Sequence, residues 1–295
     1  MTDAPTGFLL IDKPSGWTSH DVVAWVRRLI GGKVGHAGTL DPMATGLLVL
    51  GLGRSTRLLR FVQGLDKEYE AGAVFGVATD TLDADGAVLS RAPMPITEDD
   101  VRNALARFRG EILQVPPMVS ARRIEGRRLY EIAREGGEVE RDARPVAIYE
   151  LELLDFAPSD YPEIVLRVVC STGTYVRTLA DDVARALGGR AHLNRLRRVR
   201  NGSLNVADAV GVEHLEESLI TERLLDPATA LIDLPAMTAG GELAGAVRHG
   251  VAMPRSVVSS DLGDGDIVRV LDDAGSLLAV YRLDGASAKA EVVTA

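Results

Sequence analysis

The feature that most constrains the fold is the alternation of strand-length apolar runs with stretches of helical period, each cut by glycine or proline. Gly7-Phe8-Leu9-Leu10-Ile11-Asp12 reads as a strand halted by Lys13-Pro14-Ser15-Gly16. Ser19 and Asp21 stand where helix caps belong, and Val22, Val23, Val26, Leu29 and Ile30 line one helical face that Gly31-Gly32 ends. Gly35 to Asp41 reads as a glycine-rich loop without regular structure, and Gly46 to Gly51 as a buried strand. Lys67 to Val77 suits another strand, and Asp85-Gly86 suits a hairpin turn into Ala87-Val88-Leu89. Thr97 and Asp100 form a capping box that opens a helix through Phe108. Residues 114–146, rich in proline, glycine and charge, read as a long excursion, helical around Leu129 to Arg134. Tyr149 to Phe156 and Ile164 to Cys170 are strands, and Tyr175 to Leu187 is a helix. Such interleaving predicts a mixed α/β (α+β) fold rather than regular βαβ repeats. Beyond Asp233 a short helix at Glu242 to Arg248 and a hairpin, Ile267 to Leu271 with Leu277 to Leu283, predict a small β-rich domain over 233–295, after a larger one over 1–232.

Charge decides which partners are open to such a chain. Taken alone, the net charge of −9 argues against nucleic acid. Residues 1–200, however, carry 27 acids and 27 bases, whereas residues 201–295 carry 15 acids and 6 bases. The acidity therefore resides in the C-terminal part. From Arg177 to Arg200 seven arginines face only Asp181 and Asp182, and local patches set the field a phosphate backbone meets. A solvated helix face is the plainer reading of those arginines. No run approaches the ~20 apolar residues that span a bilayer, and no basic segment leads into a long apolar one at the start. Cys170, the single cysteine, sits in the apolar run Val165 to Cys170 and reads as a buried, inert thiol. A cytoplasmic location and, for want of any interface signal, a monomer are the expectations.

Several familiar chemistries fail on spacing. Gly31-Gly32-Lys33 is followed by Val34 rather than the Ser or Thr of a P-loop. Thr81 to Gly86 resembles a calcium loop only faintly, with Thr81 in place of the first acid and Ala92 in place of the bidentate glutamate, so a hairpin turn is the better reading. The five histidines show no paired metal-ligand spacing, and no nucleophile elbow is present.

What remains is Lys33-Val34-Gly35-His36-Ala37-Gly38-Thr39-Leu40-Asp41-Pro42-Met43-Ala44-Thr45-Gly46. Proline restricts the residue before it, so the backbone of Asp41 is fixed. An isolated Asp-Pro most often only organises a turn, but the whole segment resembles the signature of the TruB family of pseudouridine synthases, which carries a catalytic aspartate. Other blocks are similar in family order: the opening Gly7 to Val23, Lys67 to Ala71, Gln114 to Tyr130, Gly173 to Leu179, and Leu193 to Arg200. Together they cover most of residues 7–200. Two departures stand out: Ala37 where the family commonly has threonine, and Arg123 where it often has lysine, a planar fork in place of a point charge.

The resemblance implies a catalytic domain built on a central mixed, largely antiparallel sheet, with an RNA-binding insertion at about 114–146 and a C-terminal PUA-like domain. It implies Asp41 as the catalytic carboxylate and Arg177 as its ion-pair partner. Tyr69 would stack on the target base, with Tyr175 and Leu196 lining the pocket and His36 touching the displaced nucleotide. Lys13 and Pro14 would support the active loop, and Arg122, Arg123, Arg195, Arg197 and Arg198 would meet RNA. The implied substrate is uridine 55 in the T-loop of tRNA, with no cofactor, no metal and no obligatory protein partner. Two rival readings remain: a non-catalytic tRNA-binding or tRNA-folding protein of the same fold, and a guide-RNA-dependent relative.

Overall fold

The computed structural model describes residues 5–118, 123–124, 127–128, 139–258 and 261–294. Along the chain run β1 (Gly7–Lys13), α1 (Ser19–Ile30), β2 (Val34–His36), β3 (Thr45–Leu52), α2 (Leu59–Gln63), β4 (Lys67–Phe75), β5 (Val77–Thr79), β6 (Val88–Arg91), α3 (Glu98–Ala106) and β7 (Gly110–Gln114). Two short strands, β8 (Arg123–Ile124) and β9 (Arg127–Arg128), pair with each other. Then follow β10 (Arg144–Ala157), β11 (Glu163–Cys170), α4 (Val176–Ala186), β12 (Ala191–Asn201), β13 (Leu204–Asn205), β14 (Val210–Gly211), α5 (Glu217–Glu222) and α6 (Pro227–Ala230). The chain ends with β15 (Ala236–Thr238), α7 (Gly241–Arg248), β16 (Met253–Pro254), β17 (Ile267–Leu271), β18 (Leu277–Asp284) and β19 (Ser287–Val293).

The main sheet has the order β14-β1-β3-β12-β4-β11-β10-β7, with β2 beside β3 and β13 beside β12. Only the β1–β14 and β3–β12 pairs are parallel, so the sheet is mixed and largely antiparallel as expected. Its first strand reads as an unbroken apolar run because both faces are covered. Leu9 and Ile11 face the cluster with α1 residues Val22, Val23 and Val26, while Phe8 and Leu10 face Leu58, Phe61 and Val62 on the other side. Helices α3 and α4 complete the first layer through Val101, Leu105, Leu179 and Val183.

A second sheet, β15-β17-β18-β19-β16, holds its own core around Val268, Val270 and Tyr281. It does not hang from a linker. Leu277, Val280 and Val292 join the cluster of Phe8, Leu10 and Leu47, and Arg60 reaches across to Glu291. Burial on this shared scale, at roughly 25 cal/mol per Å², makes the docking an apolar one with an ionic rim.

Three local expectations are corrected. Thr18, not Ser19, caps α1, in a capping box with Asp21; Ser19 is the first helical residue and is fully buried. Gly35 is not in an irregular loop, because Val34 to His36 pair with β3. The arginine-rich run after α4 is not a helix face but a central strand. Register shifts between Leu193 and Arg195 and between Arg198 and Arg200 break its alternation, so Leu193, Leu196, Arg198 and Asn201 point inward. The expected helix near 129–134 lies outside the described residues.

Candidate active site

Asp41 is positioned by fastening the residues on each side of it. Ser19 Oγ accepts from the Leu40 amide at 2.9 Å and donates to the Leu40 carbonyl at 3.2 Å, acting as a one-residue strand partner. On the other side the Pro42 carbonyl accepts from Gly16 N–H at 2.9 Å and from Lys13 Nζ at 3.2 Å. Lys13 is fully enclosed and also donates to the Pro14 and Trp17 carbonyls, at 2.9 and 2.6 Å. It ties the turn after β1, Pro14 included, to the loop that holds Asp41. Burial pushes the Lys13 ammonium down to about 8, with Asp41 opposing that shift.

The Asp41 carboxylate meets Arg177 in a two-point contact, Nη2 to Oδ1 at 3.1 Å and Nε to Oδ2 at 3.0 Å. Arg177 stands in the first turn of α4 and is 3% exposed. Its Nη1 donates to the Thr81 carbonyl at 2.8 Å and pairs with Asp83 Oδ2 at 3.2 Å. One guanidinium thus bridges two carboxylates. Sequence reading passed over Asp83, which sits in the turn dismissed as a calcium-loop mimic. Its Oδ1 accepts from Thr81 Oγ1 at 2.5 Å and from Asp85 N–H at 3.2 Å, and the preceding Leu82 has φ +62°. A positive φ at a non-glycine residue stores strain where function demands a shape. Burial raises the Asp41 pKa above the ordinary carboxylate range; Arg177 opposes this and Asp83 adds to it.

The carboxylate opens into a cavity of about 350 Å³. Tyr69, Tyr175, Leu196 and Arg198 line it together with Asp41 and Arg177, so five of the expected residues converge with Asp41. Tyr69 and Leu196 are brought side by side by β4 and β12, where Leu196 is opposite Ala71 and Arg198 opposite Tyr69. Tyr175 is held through its backbone: its N–H donates to Gln114 Oε1 at 2.7 Å and its carbonyl accepts from Gln114 Nε2 at 3.1 Å.

Other expected residues fall elsewhere. His36 does not line the cavity; its ring packs edge-on against His20 at 5.6 Å, and burial, then His20 and Arg198, pushes its pKa down to about 4. Arg198, expected to meet RNA, is placed inside the fold at the wall of the cavity. It is 1% exposed, with Nε donating to the Leu47 carbonyl at 2.7 Å and Nη2 to the Gly38 carbonyl at 3.1 Å. Arg197 is half-buried and forked onto Asp12, at 3.0 and 2.7 Å. Arg195 is exposed. Arg122 and the Arg123 side chain lie outside the described residues; the Arg123 backbone pairs with Arg128. Ala37 is fully buried against the apolar second layer. Cys170 is enclosed, and burial pushes its thiol up to about 11. Among the described residues no helix is long and apolar enough to cross a membrane.

A guanidinium-fixed carboxylate that opens into a cavity lined by tyrosine and leucine side chains presents a reactive group to a ring-bearing substrate. Comparison with known proteins gives the family. Residues 27–176 match the model of the TruB family pseudouridylate synthase N-terminal domain, and residues 177–233 that of the tRNA pseudouridylate synthase B C-terminal domain. The tRNA pseudouridine synthase B of Symbiobacterium thermophilum is 52% identical over 248 residues, covering 83% of this chain and 82% of its own. That of Moorella thermoacetica is 46% identical over 286 residues, covering 94% of each chain. Among solved structures, a Cbf5–Nop10–Gar1 complex contains a chain matching with TM-score 0.77 at 26% identity, over 98% of this chain and 84% of that one. The archaeal box H/ACA Nop10–Cbf5 complex matches with TM-score 0.74, also at 26% identity, over 98% and 86%. The chain belongs to the TruB family of pseudouridylate synthases.

Proposed function

We propose that this protein isomerises uridine 55 in the T-loop of tRNA to pseudouridine, with Asp41 as the reacting carboxylate. The observation that carries the reading is the Asp41–Arg177 pair opening into a slot walled by Tyr69 and Leu196. The reaction breaks the N1–C1′ bond and forms a C5–C1′ bond. N1 gains a proton and C5 loses one, so atoms and electrons balance without an oxidant, reductant or second substrate. A carboxylate serves as a nucleophile at the ring or sugar, or as a base at the sugar. In each case it must be ionised, which burial resists and Arg177 enforces.

The target base leaves its stack to reach Asp41, at a cost of a few kcal/mol, and stacking on an aromatic face returns roughly 1–3 kcal/mol. Tyr69 supplies that face, Leu196 the apolar wall, and Tyr175 the flank beside Arg177. Arg195, Arg122 and Arg123 serve the phosphate backbone, which makes binding salt-dependent. Residues 233–295 act as a PUA-like RNA-binding unit on a catalytic domain of residues 1–232. The chain works without a metal, cofactor, guide RNA or protein partner, as a monomer in the cytoplasm. Support for independence is the higher identity to relatives named tRNA pseudouridine synthase B than to the chain matched in a Cbf5–Nop10–Gar1 complex.

The test is conversion of tRNA uridine 55 by the purified chain alone beside Asp41→Asn, read by pseudouridine-specific chemistry. Activity lost in Asp41→Asn with tRNA binding retained is expected. Binding without conversion in both proteins overturns the enzyme reading.

A further inference from the structure

Lys67 occupies a part of the cavity that the chemistry above leaves unused. On β4 the side chains of Lys67 and Tyr69 share one face, about 6.7 Å apart along the strand. Lys67 is 6% exposed and lines the cavity. Its Nζ donates to the Gln63 carbonyl at 2.6 Å and to the Leu65 carbonyl. An ammonium carries three N–H donors, so one is left for a ligand in the slot. The pairing of Lys67 with Cys170 sets the loop from Ser171 beside it, and Thr172 Oγ1 donates at 2.9 Å to the same Gln63 carbonyl.

This cluster shares its cavity with Asp41, Tyr69 and Leu196. Burial, then Arg198, pushes the Lys67 ammonium down to about 8, which leaves it protonated at neutral pH. Asp41, Arg177, Tyr69, Leu196 and Lys67 line this one cavity, and on β4 the ammonium stands two residues from Tyr69, within reach of the edge of a ring stacked on that tyrosine.

We propose that Lys67 is a specificity-determining residue whose remaining N–H donates to the O4 carbonyl of the flipped uracil. The inference rests on the reading of the site as a uridine pocket. Cytosine carries an amino donor where uracil carries O4, so the same ammonium would repel it. An oxygen of a neighbouring phosphodiester offers related chemistry. The enclosure of Lys67 favours the base, because the phosphodiester must pass the mouth, where Thr172 and Gly173 are exposed.

The experiment uses the full chain and T-arm stem–loop RNAs carrying uridine, 4-thiouridine, or uridine flanked by a neutral methylphosphonate linkage at the target. The wild type should lose roughly tenfold in kcat/KM on 4-thiouridine, whose sulfur is a weak acceptor, the scale of one hydrogen bond to a charged donor. In Lys67→Met that difference should vanish, since the partner is gone, while Lys67→Arg should restore it in part. Thermal melts of each variant confirm folding; if Lys67→Met melts early, Lys67→Gln and Lys67→Arg carry the comparison. A 4-thiouridine effect unchanged across the variants overturns the proposal and leaves Lys67 as the cap of α2. Coupling to the methylphosphonate alone also overturns it, reassigning the ammonium to the RNA backbone. Absence of conversion of uridine by the wild type would instead refute the enzyme reading beneath both.

Discussion

Replacing Arg198 by methionine separates an internal strut from an RNA contact. The substitution keeps an unbranched apolar stem, shorter than that of arginine, and removes the charge and donors. Two carbonyls lose a charged partner: Leu47, bonded in the buried interior at 2.7 Å, and Gly38, bonded at 3.1 Å beside the cavity. A stranded acceptor costs about 1–3 kcal/mol, less where water can reach it, so the fold should lose about 2–4 kcal/mol. Gly38 lies three residues before Asp41, and its release should slow the chemical step by roughly 10²-fold, the scale of a ~1 Å misplacement. The Arg198 charge also depresses the His36 pKa, so that pKa should rise from about 4 in the variant. The assays are denaturant melts, single-turnover conversion at saturating tRNA, and tRNA affinity against salt. The logarithmic salt slope should be unchanged in Arg198→Met and should fall by about 1 in Arg195→Met, a candidate phosphate contact. A reduced slope in stable Arg198→Met would refute the strut and restore the RNA contact.

Three further predictions follow from the same geometry. Asp83→Asn removes a charge that raises the Asp41 pKa, so that pKa should fall. In the proposed role Asp41 acts ionised, so the acid limb of kcat/KM should move to lower pH, while the plateau drops roughly 10–100-fold as Arg177 loses a fixing partner; a stationary limb in a pH–rate profile would count against the network. Gly46→Ala should destabilise by more than about 3 kcal/mol in denaturant melts, because φ is +97° and the added Cβ would meet the Arg198 carbonyl oxygen at 2.2 Å. Ser19→Ala strands the Leu40 N–H and carbonyl, and should cost about 2–4 kcal/mol with a lower kcat and unchanged tRNA affinity.

The sequence by itself determined the elements whose signals are local. The apolar run of β1, the capping box at Thr97, the termination of α1 at Gly31 and the hairpin of β17 and β18 each depend on residues within a few positions of one another. The group of residues that meet at one cavity was legible because Asp41, Tyr69, Tyr175, Arg177 and Leu196 stand in blocks with a recognisable order. What tertiary structure decided depends on partners distant in sequence. Asp83 looked like one more turn aspartate until strand pairing carried it to Arg177, 94 positions on. Arg198 looked like one basic residue among seven until the bulges of β12 turned it inward while Arg195 stayed in solvent. A bulge breaks the two-residue alternation that separates inside from outside, so no local pattern could have told these arginines apart. The carbonyls of Leu47 and Gly38 that hold Arg198 stand 151 and 160 positions earlier in the sequence, on the neighbouring strand β3 and in the loop that leads to Asp41.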